Sequence, residues 1–246
     1  MEIDDGKRRQ ADPVVRFRVT GRRSAAVTAP ARAGGAAPRR RDAEATRARI
    51  LAAATQEFAR HGLAGARGDR VARAARSSER MVYYYFGNKE KLFRAVLEAS
   101  YLSLQEAERS VHLDDLEPAQ ALDEFCRFVW RYYLEHPEFI GLVNTENLHR
   151  ASHLKQSPQL TELVAPIVGL LQGLLARGEK GGVFRRGIDP TDLYIAIAAL
   201  GYFYLSNSAT LSAVLGRELR APRNLDRHWR ASAEMIQRFV RADGAG

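Results

Sequence analysis

Three tyrosines in a row, Tyr83, Tyr84 and Tyr85, follow Arg80 and Met81, and Lys89 comes shortly after, beyond Phe86 and Asn88. Phenol hydroxyls donate hydrogen bonds to phosphate oxygens, and arginine and lysine neutralise them, so the grouping has the chemistry to touch a polyanion. Successive residues on a helix are turned by roughly 100°. Three phenols in succession cannot all face a core, and at least one has to point outward. The competing use of the same residues is to fill the seam between small helices.

Other candidate groups are sparser. His149 and His153 stand four positions apart, a spacing that can bind metal, but no third ligand accompanies them. Asn144, Glu146 and Asn147 interrupt the apolar stretch HPEFIGLVNTENLHRASHL. They read either as the polar face of a partly exposed helix or as the few polar groups of a small-molecule pocket. There is no P-loop, no dinucleotide fingerprint and no clustered Cys/His spacing. No acids and hydroxyls form an acid–base set by spacing alone. The expectation is a protein that binds rather than catalyses, with no metal and no cofactor.

The elements that must hold these residues are helices. Of 246 residues, 46% are apolar and 27% charged, as in an ordinary globular protein, and the net charge of +9 favours a polyanionic partner. The single cysteine, Cys126, permits no internal disulfide, which suits a reducing compartment. The N-terminus lacks a signal-type apolar core, and the longest apolar run, Leu193 to Leu205, is too short to span a bilayer. A cytoplasmic location without membrane contact is expected.

Residues 1–41 are rich in Arg, Ala, Gly and Pro without a period, and read as a disordered basic arm. The arm is either a phosphate-tracking tail or an unselected extension. From Asp42 the pattern is helical: Ile50, Leu51, Ala54, Phe58 and Leu63 recur at helical spacing up to a stop at Gly62. Short helices follow at about 69–75 and 78–85, the second capped by Ser78. Asn88 caps a longer helix with a stripe of Leu92, Phe93, Val96, Leu97 and Leu104. Pro118 opens another helix, which His136-Pro137 breaks. Further helices start near Phe139, Pro158, Pro190 and Pro222, with Gly178, Gly181, Gly182 and Gly187 marking a loop. No segment alternates as a strand does. The chain reads as all-α with about nine helices, the first three sized for a helix-turn-helix unit.

The run RARILAAATQEFARHGLAGARGDRVARAARSSERMVYYYFGNKEKLF, Arg47 to Phe93, resembles the DNA-binding domain of TetR-family transcriptional regulators. Phe58, Gly62, Val71-Ala72, Ala75, Ser78, Val82-Tyr83, Phe86 and Lys89-Glu90-Lys91-Leu92-Phe93 hold the places of that pattern. The resemblance implies a helix-turn-helix domain over 42–88 and a helical ligand-binding and dimerisation domain over 89–246. It implies that Tyr83, Tyr84 and Lys89 contact phosphates. It sets Glu79, Arg80 and Met81 near base edges, with Ser78 at the helix start and Arg67 near the start of the second helix as further DNA contacts. Looser matches in the C-terminal half imply a pocket lined by Trp130, Tyr133, Phe139, Asn147, Tyr202 and Phe203. They also imply a dimer seam of Leu193, Ile197, Leu200, Gly201, Tyr204, Trp229, Ile236 and Phe239. The implied partners are a double-stranded DNA operator, a second copy of the chain and a small-molecule effector.

Four residues depart from the family pattern. Ala66 stands where a hydroxyl caps the second helix, Gly68 where an apolar residue follows, and Arg76-Ser77 where the turn has Gly and then an apolar residue. A lost cap costs about 1 kcal/mol. A helical glycine adds up to about 1 kcal/mol more, and arginine suits a positive-φ position poorly. These departures predict a loosened reading head, with Arg76 able to compensate through a phosphate. Two functions follow: a ligand-responsive repressor binding a pseudo-palindromic operator as a homodimer, or a TetR-like helical dimer that binds a small molecule or protein but has weak or lost operator recognition.

Overall fold

The computed structural model describes residues 37–242, with side chains for all of these except 37–40 and 158–165. Ten α-helices follow one another: α1 (Ala37–Gly65), α2 (Gly68–Ala74), α3 (Glu79–Phe86), α4 (Lys89–Arg109), α5 (Pro118–Glu135), α6 (Pro137–Leu148), α7 (Pro158–Lys180), α8 (Pro190–Ser206), α9 (Ser208–Leu215) and α10 (Pro222–Val240). A 3-10 turn, Leu154–Gln156, separates α6 from α7. Among the described residues there is no strand, only one bridge between Phe184 and Arg241, so the all-α expectation holds. No helix among them is long and apolar enough to cross a membrane.

The helix boundaries follow local chemistry. Asn88 accepts from the Lys91 N–H at 2.8 Å to open α4, and Asp189 accepts from Thr191 and Asp192 to open α8. His136 is the break between α5 and α6, with proline at the first position of the second. Gly62 breaks α1 with φ of 63°. Three boundaries differ from expectation. Helix α1 begins at Ala37, within the expected arm, whose residues 1–36 lie outside those described. Helix α9 was not anticipated, because its apolar residues continue those of α8 without a clear change of period. Gly178 belongs to α7 rather than to the loop, where a Cβ would collide with the Phe184 ring packed against it.

Two apolar cores result. The first joins α1, α2, α3 and the start of α4 through Ile50, Phe58, Val71, Val82, Phe86 and Phe93, and includes Leu142 from α6. The second joins the rest of α4 to α5, α7, α8 and α10 around Phe125, Tyr133, Leu171 and Leu193. Helix α6 lies between them. At its crossing with α1, a Cβ on Gly141 would stand 2.5 Å from the Ala59 carbonyl oxygen. Only glycine permits this approach. Because the obstruction is backbone rather than a flexible side chain, Gly141→Ala should destabilise by about 1–3 kcal/mol. A chemical-unfolding midpoint equal to wild type would show that α6 can back away freely.

Candidate functional site

The N-terminal head is assembled from α1 outward. Its first helix supplies Phe58, which meets the edge of Phe93 at 5.1 Å between ring centres. Val82 and Phe86, four apart on α3, both face that core as their spacing predicts. The opposite face of α3 is open. Glu79 and Arg80 are exposed, Met81 is half-buried, and Tyr84 is 76% exposed. The three tyrosines divide the surface between them. Tyr85 packs against the first core, Tyr84 stands out into solvent with its ring edge on Tyr85, and Tyr83 lies across the start of α2.

Tyr83 can lie there because of Gly68. A Cβ at Gly68 would come within 2.6 Å of both the Tyr83 hydroxyl and the Glu79 carboxylate. A side chain at this helix start would have to displace the ends of those two side chains. The other departures are met from α1. Arg67 occupies the N-cap of α2 with no side-chain cap, but its N–H donates to Glu57 Oε1 at 2.9 Å. Arg70 pairs with the same oxygen at 2.7 Å. Burial raises the Glu57 carboxyl, yet these bonds outweigh it and hold the group below the usual range. At the other end of α2, Arg76 takes φ of 51°, the left-handed conformation that glycine adopts freely. There the Ser77 N–H closes the turn onto Ala72 O at 2.9 Å, and Arg49 on α1 donates to Ala75 O at 3.3 Å. The predicted loosening is offset by two α1 side chains, a signal spread too far along the chain to read locally.

Ser78 caps α3 by accepting from the Met81 N–H at 3.3 Å. Arg67 is exposed and forks onto Asp69 at 3.0 and 3.1 Å. Lys89, at the first position of α4, donates to Ala64 O at 3.1 Å and so caps the end of α1. Among the expected DNA contacts, Arg80, Tyr84, Glu79, Ser78 and Arg67 are exposed, while Met81, Tyr83 and Lys89 are partly covered.

In the C-terminal body, Trp130, Tyr133 and Phe139 are buried, with Tyr133 stacked on Phe139 at 6.2 Å and 6.3 Å from Tyr202. The Tyr202 hydroxyl donates to Asn144, which also receives Ser206 at 3.2 Å. Tyr202 is held above its usual range by burial, against hydrogen bonds to Asn147 and Ser206. Asn147 itself is exposed, and the inward amide is Asn144. Phe203 does not join this group. It is 59% exposed, turned one helical step away from Tyr202.

Much of the expected dimer seam is covered within the chain. Leu193, Ile197, Gly201 and Ile236 are buried inside the single chain. A Cβ on Gly201 would meet the Tyr133 ring at 3.1 Å, so that glycine serves the packing of α8 on α5. Leu200 and Trp229 line a cleft between α5, α8 and α10, and Tyr204 stacks on His228 at 3.8 Å. Of the expected set only Phe239 is exposed. The open apolar residues are Ile195 and Phe203 on α8 and Met235 and Phe239 on α10. Helix α8 is apolar on every side, so periodicity could not distinguish its faces. The four-apart rows Ile195–Ala199–Phe203 and Met235–Phe239 were the available signal. His149 and His153 do not share a helix. His149 closes α6, with Nδ1 2.8 Å from Thr145 O, while His153 lies in the loop beyond.

Known proteins share this arrangement. Residues 50–96 match the model of bacterial regulatory proteins of the tetR family, and residues 118–236 match the tetracyclin repressor-like C-terminal domain. The HTH-type transcriptional repressor NicS of Pseudomonas putida is 44% identical over 181 residues, covering 74% of this chain and 85% of that protein. The HTH-type transcriptional repressor SCO4008 of Streptomyces coelicolor is 37% identical over 161 residues, 65% of this chain and 78% of that protein. Among solved structures, the putative transcriptional regulator SCO4942 from Streptomyces coelicolor superposes with a TM-score of 0.61 at 29% identity, over 79% of this chain and 98% of that one.

One buried carboxyl oxygen has no hydrogen-bond partner among the described residues. Glu108 on α4 is 4% exposed, and its Oε2 makes no hydrogen bond among the described residues. Burial raises its carboxyl to about 7, with only Arg109 pulling the other way. A carboxyl raised on folding contributes stability below its unfolded value, and that contribution is lost as pH rises through about 7. Glu108→Gln should therefore gain on wild type between about pH 5 and about pH 8, by up to about 3 kcal/mol. Urea midpoints at the two pH values measure it, and a constant difference would mean that no buried charge forms at Glu108.

Proposed function

This chain belongs to the TetR family of bacterial regulatory proteins, and we propose from that premise that it is a ligand-responsive repressor acting on a pseudo-palindromic operator as a homodimer. The observation that carries the reading is the open face of α3. Arg80 and Tyr84 stand exposed on a helix whose other face is fixed by Val82 and Phe86. An outward phenol beside guanidinium groups suits phosphates, and the start of α3 suits base edges in a major groove. Two relatives bear the name of transcriptional repressor, which supports repression over activation.

One such head covers a half-site, so a second copy is needed. The apolar residues Ile195, Phe203, Met235 and Phe239, exposed on α8 and α10, support these two helices as the pairing surface. The aromatic group of Tyr133, Phe139 and Tyr202 is the proposed effector site, with Asn144 as its polar contact. An effector there acts by binding the two head spacings unequally, with α4 as the element shared by head and body. The protein acts by binding, in the cytoplasm. The rival reading, loss of operator recognition, rested on Ala66, Gly68, Arg76 and Ser77. The contacts from Glu57 and Arg49 and the packing over Gly68 weigh against it.

Selection from random duplex DNA, with and without residues 1–36, should enrich the same palindrome in both forms. Retention only with the basic segment, without enrichment, would overturn operator recognition. On the enriched site, Tyr84→Ala should weaken binding to all sequences alike. Arg80→Ala should cost about 1–3 kcal/mol and relax preference at one base position. Phe203→Asp should give monomers in sedimentation equilibrium at concentrations where the wild type is dimeric. An unchanged dimer would move the interface off α8.

A further inference from the structure

His153 is a buried imidazole that none of the roles above uses. It is 7% exposed and lies between α6 and the 3-10 turn. Its Nδ1 is 2.7 Å from Glu146 Oε2, and its Nε2 is 2.9 Å from Glu90 Oε2. Glu146 is 2% exposed, and its other oxygen accepts the N–H groups of His153 at 2.8 Å and Leu154 at 3.0 Å. From α4, the Phe93 ring meets the imidazole edge-on at 5.0 Å. From the end of α6, the His149 ring stands 5.6 Å away, and Ser152 Oγ is 3.4 Å from Nδ1. The groups that face His153 are thus Glu146, Glu90, His149, Ser152 and Phe93. Arg94 on α4 is turned to Gln156 at 3.4 Å.

A neutral imidazole has one N–H and can donate to one carboxylate, whereas the imidazolium has two. Carboxylates on both ring nitrogens are satisfied together only by the doubly protonated ring. The two sides are unequal. Glu146 is buried and held by two backbone N–H groups, while the Glu90 side chain is 61% exposed. When the extra proton leaves, the remaining N–H stays on Nδ1 toward Glu146. The Nε2 lone pair then faces the Glu90 carboxylate, and attraction becomes repulsion. Glu90 sits in the first turn of α4 beside Lys89, whose ammonium holds the end of α1. That turn is therefore gripped on one side by the head and on the other by the body.

We propose that His153 is a positioning residue for DNA reading: its imidazolium latches the first turn of α4 to the C-terminal body, and loss of the proton frees the reading head. The inference rests on the operator-binding function proposed above. The latched spacing is the one that fits the operator, so affinity falls when the imidazolium gives up its proton. With one exposed partner, the expected loss is about two- to fivefold.

The test uses the full chain, its Glu90→Gln variant and the enriched operator. A glutamine can accept from the ring's N–H or donate to its lone pair, so the variant keeps the contact in both states and should give a flat affinity profile. Nitrogen NMR of the histidine rings in the free protein, with His153 identified by the signal lost in His153→Gln, should show two protonated nitrogens at low pH and Nδ1–H alone at high pH. Amide signals of Lys89 to Phe93 should move with that titration in the wild type and not in Glu90→Gln. Superimposable affinity profiles for the two proteins would overturn the latch while leaving operator binding intact. Failure to obtain any operator would instead count against the regulator function. The amide signals would then decide the latch alone, and their failure to follow the ring would overturn it.

Discussion

The fold turns on one backbone contact, the approach of α6 to α1 at Gly141 and the Ala59 carbonyl. It is direct main-chain packing with no side chain to absorb movement. Closely packed interfaces pass displacement on rather than damping it. Leu142, the next residue, is wholly buried in the core of the head although it belongs to a helix of the body. Head and body therefore share apolar volume, and a change at one end of α6 is felt in the helix that carries Phe58. The proposed effector site draws Phe139 and Asn144 from the same helix.

The architecture of the head was legible because its signals are local. Cap residues and the four-residue spacing of Val82 and Phe86 each act within one or two turns. Their sum identified the helix-turn-helix unit. What was not legible depended on contacts between distant residues. Ala66 and Arg76 looked like defects, because the groups that offset them, Glu57 and Arg49, lie on another helix. Gly68 looked like a flexible helix start, because the ring that fills its place comes from α3.

The body shows the opposite difficulty. Helix α8 is apolar all round, so sequence pattern predicts burial without direction. The expected seam of Leu193, Ile197 and Gly201 proved to be the chain's own interior, and the open row is two residues out of step with it. A shift of two positions on a helix rotates the view by about 200°, nearly to the opposite side. The Tyr202 hydroxyl meets both Asn144 and Asn147. The difference at α8 is one of facing, on a helix that was itself correctly placed. The spacing of His149 and His153 describes a continuous helix, and Arg150 and Ala151, both with positive φ, end that continuity.

The two α1 side chains that hold α2 have a consequence for how this head could change. Glu57 and Arg49 fix both ends of α2 without touching α3, and Gly68 gives α3 a seat set by shape rather than by charge. The outward residues of α3 can therefore be exchanged for those of another regulator while the frame beneath them stays as it is. The unit that can be transplanted intact is α1 through α3 together. A graft of α2 and α3 alone would leave behind the carboxylate that holds the start of α2 and the guanidinium that holds its end.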